Sequence, residues 1–183
     1  MATYSGFPII NKGTVSIKGK RKNNICIYSD IVNEKDTIRL YNIHLASNWF
    51  RTSDYSFIQN PTLETEELKK NVLSIGERLK NSFAKRAEQV EAIKTHINKS
   101  PYPVIVCGDF NDTPNSYAYH QLSNGLKDAF VEKGLGLGRS YNGKFPSLRI
   151  DYILCSPELN IHSFNTSDVK LSDHYPILAG FCE

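Results

Sequence analysis

The chain has 183 residues, 40% of them hydrophobic and 22% charged, the size and balance of one ordinary globular domain. A formal net charge of +3 and a pI near 8.6 exclude the strongly basic signature of a dedicated polyanion binder and leave phosphate-bearing ligands open. No apolar run approaches the ~20 residues of a membrane-spanning helix, and residues 1–10 lack the basic start and apolar stretch of a secretory signal.

In chain order, residues 7–13 predict an extended segment closed by a turn, and residues 14–18 alternate after it. Residues 18–24 form a basic, glycine-containing turn, the composition of a solvated hairpin tip. Two strands are predicted over 24–32 and 37–46, joined by Asn33-Glu34-Lys35-Asp36. In the second, Ile38, Leu40, Asn42 and His44 share one face by period two, which carries His44 to the strand end. Residues 50–64, with Phe50, Tyr55 and Phe57, read as irregular and aromatic-rich. Leu68, Val72, Ile75, Leu79, Phe83, Val90, Ile93 and Ile97 then recur at helical spacing, with Thr62 or Thr65 as the cap and Pro101 beyond the end. The pattern is long enough that a break near Gly76 or Asn81 is expected.

Residues 104–107 are fully apolar and suit a buried strand. Residues 112–116 predict a turn into a short helix over 117–122, and the glycine-rich 134–142 segment predicts a flexible loop. That loop lacks the terminal Gly-Lys-Ser/Thr of a phosphate-cradling Walker loop. Residues 149–154 alternate again, and 161–164 and 177–181 are the last strand candidates. The four cysteines, Cys26, Cys107, Cys155 and Cys182, form no CxxC pair and lie in or beside apolar stretches, so they read as reduced core thiols.

Four short segments place chemistry-bearing side chains at the edges of these strands: Tyr41-Asn42-Ile43-His44-Leu45, Gly108-Asp109-Phe110-Asn111, Arg149-Ile150-Asp151-Tyr152 and Ser172-Asp173-His174-Tyr175-Pro176. Taken singly they are weak. Asp-Phe-Asn after a strand is more often a turn, and a lone histidine is more often structural. Asp151 is stronger, because a carboxylate inside an apolar strand needs a partner, here His174 or Arg149. Together they supply what metal-assisted phosphoester hydrolysis needs: a hard-cation ligand, a group to orient water, and a donor for charge developing on phosphoryl oxygens.

In that order, and with Arg86 and Gln89 on the preceding helix, the four segments resemble the endonuclease/exonuclease/phosphatase superfamily, the DNase I-like proteins. The resemblance implies an α+β fold, the αββα four-layer sandwich, and a divalent cofactor, Mg²⁺ or Mn²⁺. It implies that Asp109 orients or activates water, that Asn111 donates to the phosphoryl group and that Asp173 ligates the metal. His174 would contact phosphate or transfer a proton, held by Asp151, and His44 would act as a second imidazole. The family's early Asn and its metal-binding Glu are not recognisable here, and Glu34, Glu64, Glu66 and Glu67 are poor substitutes. The start of the chain is similar to the middle of a family member. Residues 1–183 are therefore expected to be the C-terminal portion of the domain: a mixed or antiparallel sheet with helices on one face, possessing weak metal affinity and uncertain activity alone.

The substrate class implied is a phosphate ester of nucleic acid, phospholipid or sugar. The competing reading is a non-catalytic binding module that keeps the fold. A sheet face left uncovered, with Val104, Val106, Ile150 or Ile153, and Ile177 or Ala179 as candidates, is expected to drive self-association or to be covered by rearranged N-terminal strands.

Overall fold

The computed structural model describes residues 1–17, 25–34, 36–48, 50–59, 65–143 and 148–182. The basic turn expected over 18–24, Lys35 of the polar turn, Thr62 and Glu64 lie outside the described residues.

Three strands open the chain, β1 (Ile9–Thr14), β2 (Cys26–Asn33) and β3 (Asp36–His44), paired as an antiparallel meander. Two helices follow, α1 (Thr52–Gln59) and α2 (Thr65–Ile97), and return the chain to β4 (Val104–Asp109), which lies parallel to β3. Then come α3 (Tyr117–Ser123), β5 (Lys127–Asp128), α4 (Ala129–Lys133), β6 (Asp151–Cys155), β7 (Asn160–Thr166) and β8 (Ile177–Cys182). The six-stranded sheet has the order β1-β2-β3-β4-β6-β5 and is mixed; β7 and β8 form a separate antiparallel pair.

Strand alternation divides the large sheet into two chemically different faces. Tyr41, Ile43, Val104, Val106, Tyr152 and Leu154 point to one side and pack on Val90, Ile93 and Ile97 of α2 and on Ala118 and Leu122 of α3. The other side, over β4 and β6, is covered by the β7–β8 pair and α4, where Ile105, Ile153 and Cys155 meet Ala129, Ile161, Phe164 and Phe181. Over β2 and β3 that same side carries Ile27, Ile31, Ile38 and Leu40, all half-buried. The N-terminal segment reaches this face, where Asn42 Nδ2 donates to the Ala2 carbonyl at 2.9 Å. Val104 and Val106 are thus not on the open side: they are the centre of the helix-covered core.

Three further expectations are corrected. The long helix runs unbroken through Gly76 and Asn81. A Cβ at Gly76 would meet nothing within 4 Å, so this glycine sits on an open helix surface and costs only about 1 kcal/mol of propensity. Residues 50–64 are not wholly irregular, because α1 occupies Thr52–Gln59. Its buried Asp54 accepts from the Arg51 amide at 2.7 Å and pairs with Arg78 of α2 at 3.3 Å. Finally, all four thiols are free, but Cys182 is exposed; only Cys26 and Cys155 are fully buried. Burial pushes the Cys26 thiol up to about 12 and the Cys107 thiol up to about 11, which leaves both inert.

Candidate active site

The ends of three neighbouring strands build one row of side chains. Parallel pairing sets His44 beside Asp109, and antiparallel pairing sets Asp109 beside Asp151. Register partners share a face, so the row projects from the side of the sheet opposite α2. His44 Nε2 lies 3.7 Å from Asp109 Oδ2, with the His44 side chain 58% exposed and that of Asp109 only 18%. Close approach of β3 and β4 here demands a glycine: a Cβ on Gly108, whose φ is +135°, would sit 2.0 Å from the Ile43 carbonyl oxygen.

Beyond Asp109 the chain turns sharply. Asn111 adopts a left-handed φ of 52°, a conformation that asparagine tolerates. Its amide N–H donates to Asp109 Oδ1 at 2.7 Å, while its Nδ2 donates to Asp109 Oδ2 at 2.8 Å and to the Leu45 carbonyl at 3.0 Å. Both oxygens of Asp109 are therefore held, and both side-chain protons of Asn111 are committed to protein acceptors.

The fourth member arrives from the β7–β8 loop. His174 Nδ1 is 2.8 Å from Asp151 Oδ2, the partner choice that the sequence left open. Arg149 instead pairs with Asp128 at 2.7 Å. The His174 backbone bridges Tyr141, whose ring stands edge-on to the imidazole at 5.2 Å. Buried Ser140 braces this corner: its Oγ accepts from the Ile150 and Asp151 amides at 3.1 and 3.0 Å, and its carbonyl accepts from the Tyr175 amide at 2.7 Å. Asp173 is exposed beside them.

Helix α2 fixes the other wall. Arg86, only 1% exposed, donates from Nε to Asp112 at 2.8 Å and from Nη1 to the Ala46 carbonyl at 2.7 Å and to Asn48 Oδ1 at 2.9 Å. Gln89 Oε1 accepts from the Ala46 amide at 2.9 Å, and Ser82 Oγ donates to the Ser47 carbonyl at 3.1 Å. One buried face of the helix thus clamps the loops that follow His44 and Asn111. Sequence reasoning missed Ser82, Asp112, Ser140 and Tyr141. Only Asp112 carried a local signal, one residue past Asn111.

The resulting cleft has a volume of about 310 Å³ and is lined by His44, Asp109, Asn111, Asp173 and His174, with Phe50, Tyr55 and Tyr141 as aromatic walls. Asp151 stands behind His174, at 15% side-chain exposure. Burial, and then the neighbouring Asp151 charge, push the Asp109 carboxyl up to about 6. The hydrogen bond to Asp151 raises His174 above the ordinary imidazole value. Ligand atoms of Asp109, Asp151 and His174 all lie within 4.8 Å of one another. Two carboxylates and one imidazole at this spacing are a donor set that a hard divalent cation accepts.

Comparison with curated proteins finds no match. Solved structures are similar in fold. An endonuclease/exonuclease/phosphatase family protein from Bacteroides thetaiotaomicron is 16% identical with a TM-score of 0.63, over 94% of this chain and 63% of that one. A mannosyl-6-phosphatase of Bacteroides thetaiotaomicron is 16% identical with a TM-score of 0.59, over 97% of this chain and 67% of that one. TDP2 of D. rerio, solved with a single-strand DNA product, is 13% identical with a TM-score of 0.61, over 96% of this chain and 68% of that one. The chain thus spans 63 to 68% of the length of these neighbours. A profile of the endonuclease/exonuclease/phosphatase family matches residues 39–174, from β3 to the imidazole of His174, and the chain belongs to that family.

Proposed function

We propose that this chain carries the reacting groups of a divalent-metal-dependent phosphoester hydrolase. The observation that carries the reading is the row His44–Asp109–Asp151 across three strand ends, completed by His174 on Asp151. Asp109, ionised above about pH 6, takes a proton from the attacking water, and Asn111 holds both of its oxygens in place. With Nδ1 tied to Asp151, His174 keeps Nε2 for the substrate and, when protonated, donates to the leaving oxygen. His44, more exposed, offers a second imidazole to the phosphoryl oxygens. Asp173, exposed at the same cleft, would hold Mg²⁺ or Mn²⁺, which would supply Lewis acidity to a phosphoryl oxygen.

The neighbours named above act on a sugar phosphate or hold a DNA product. The chemistry is therefore assigned to phosphate esters as a class, in nucleic acid, phospholipid or sugar phosphate. Hydrolysis of bis(p-nitrophenyl) phosphate in Mg²⁺ or Mn²⁺ tests the reading. Turnover should vanish in EDTA and fall by about 10²-fold or more in Asp109→Ala and His174→Ala. Unchanged turnover in both variants excludes the mechanism. Phosphate-ester binding without hydrolysis, equal in wild type and both variants, would instead establish the binding-module alternative.

A further inference from the structure

His174 does not belong to the sheet that carries its partners. Asp109 and Asp151 stand on β4 and β6 of the six-stranded sheet, whereas His174 lies in the connection between β7 and β8, which form a separate pair. Groups on two separate sheets act on one reacting atom only if something fixes one sheet against the other at that point.

Segment 139–142 runs between the two. Toward the His174 loop it bonds through its main chain. The Asn142 amide donates to the Asp173 carbonyl at 2.7 Å, and the Tyr175 amide donates to the Ser140 carbonyl at 2.7 Å. These two bonds bracket His174, which Tyr141 bridges directly. Toward β6 the Ser140 and Tyr141 amides donate to the Leu148 carbonyl at 3.1 and 3.0 Å. One side chain completes the attachment: Ser140 Oγ accepts from the amides of Ile150 and Asp151 at 3.1 and 3.0 Å. The Ile150 carbonyl in turn accepts from the Phe110 amide at 2.8 Å, inside the turn that carries Asp109 and Asn111. A continuous hydrogen-bonded path therefore leads from the neighbours of His174, through Ser140, to the backbone of Asp151 and to the Asp109 turn.

A hydroxyl oxygen has two lone pairs, and two amides use both of them here. Ser140 is 0% exposed, so bulk water does not take the place of its oxygen if that oxygen is removed. Tyr141 lines the catalytic cleft and Ser140 does not, which separates Ser140 from the groups that meet substrate. We propose that Ser140 is a positioning residue of this site: its hydroxyl locks the His174 loop to the strand ends that carry Asp109 and Asp151. The effect on turnover rests on the phosphoesterase reading; the lock itself does not.

Ser140→Ala removes the acceptor, and Ser140→Thr keeps it. Asn142→Pro removes the amide that reaches Asp173 and leaves the Ser140 hydroxyl in place. Hydrolysis of bis(p-nitrophenyl) phosphate in Mg²⁺ is followed at a temperature where thermal melts show each variant folded. Ser140→Ala and Asn142→Pro should each lower kcat by about tenfold or more with KM within about twofold of wild type. Ser140→Thr should recover most of that loss. Amide hydrogen exchange in EDTA reads the lock without turnover. Exchange at Tyr175 should quicken by about tenfold or more in Ser140→Ala and Asn142→Pro, while Tyr41 and Val106 in the helix-covered core keep wild-type protection. Unchanged exchange at Tyr175 overturns the proposal. So does exchange that quickens equally in the core, which reports global loosening, and so does an unchanged kcat, which makes Ser140 structural alone. If Ser140→Ala does not fold, Asn142→Pro decides by the same two measurements. Wild type that leaves the ester uncleaved removes the phosphoesterase reading, and exchange at Tyr175 then decides the lock by itself.

Discussion

Asp109 sits where burial and charge both oppose its ionisation. The rise from an ordinary value of 3.8 to about 6 corresponds to roughly 3 kcal/mol lost from the folded state when the group ionises at neutral pH. A raised carboxyl contributes stability below about pH 4 and loses it as pH climbs through about 6. Asp109→Asn in EDTA should therefore melt higher than wild type at neutral pH, with no gain below about pH 4, while hydrolysis in Mg²⁺ is abolished. Calorimetric melts across pH check the sign; a variant less stable at every pH refutes it. His174 is raised too, so its stabilising contribution is likewise full at acid pH and lost above the usual imidazole range. For turnover, Asp109 must be ionised and His174 protonated. The rate should rise as Asp109 ionises and fall as His174 loses its proton. Asp151→Asn removes the largest cause of the His174 rise, so the alkaline limb should move to lower pH in a pH–rate profile.

Helix α2 does two jobs at its two ends. Its C-terminal half packs on the sheet through Val90, Ile93 and Ile97. Further toward its start, Val72 and Phe83 are about half exposed and Leu73 more so, and polar side chains carry the contacts instead. Arg86 alone spans Asp112, Ala46 and Asn48. A lysine keeps the charge but not the planar fork that reaches three acceptors at once. Arg86→Lys should cut kcat by about tenfold or more with little change in KM, because the ends of β3 and β4 lose their common anchor. Arg86→Met should in addition cost about 3–5 kcal/mol in chemical denaturation, since it leaves Asp112 buried without its cation. Equal kcat in wild type and Arg86→Lys would show that the clamp is structural alone.

The whole molecule is unevenly covered. Cover by β7–β8 and α4 stops at β4 and β6, and Ile27, Ile31, Ile38 and Leu40 remain half-buried on the same side. Partly exposed apolar side chains on a sheet face favour association. Sedimentation equilibrium should show a concentration-dependent shift above monomer mass that Leu40→Lys reverses; a strict monomer at high concentration contradicts it. Among the described residues no helix is long and apolar enough to cross a membrane.

By itself, the sequence determined the strands with period-two patterning, the helical periodicity of α2 and the three polar residues, His44, Asp109 and Asp151, brought together at the strand ends. These are local signals: alternation assigns a face, and one register then carries His44, Asp109 and Asp151 to the same side. It did not determine which face the helices would cover, because Val104 and Val106 look alike from either side until α2 is laid on one of them. Nor did it reveal α1, which depends on the Asp54–Arg78 contact from a distant turn, or the five-residue α4, held by its Asp128 cap. The choice of His174 over Arg149 as the partner of Asp151 was likewise tertiary. Arg149 is drawn away by Asp128, twenty-one positions earlier in the chain, and a buried charge takes whichever opposite charge the fold sets within hydrogen-bond reach.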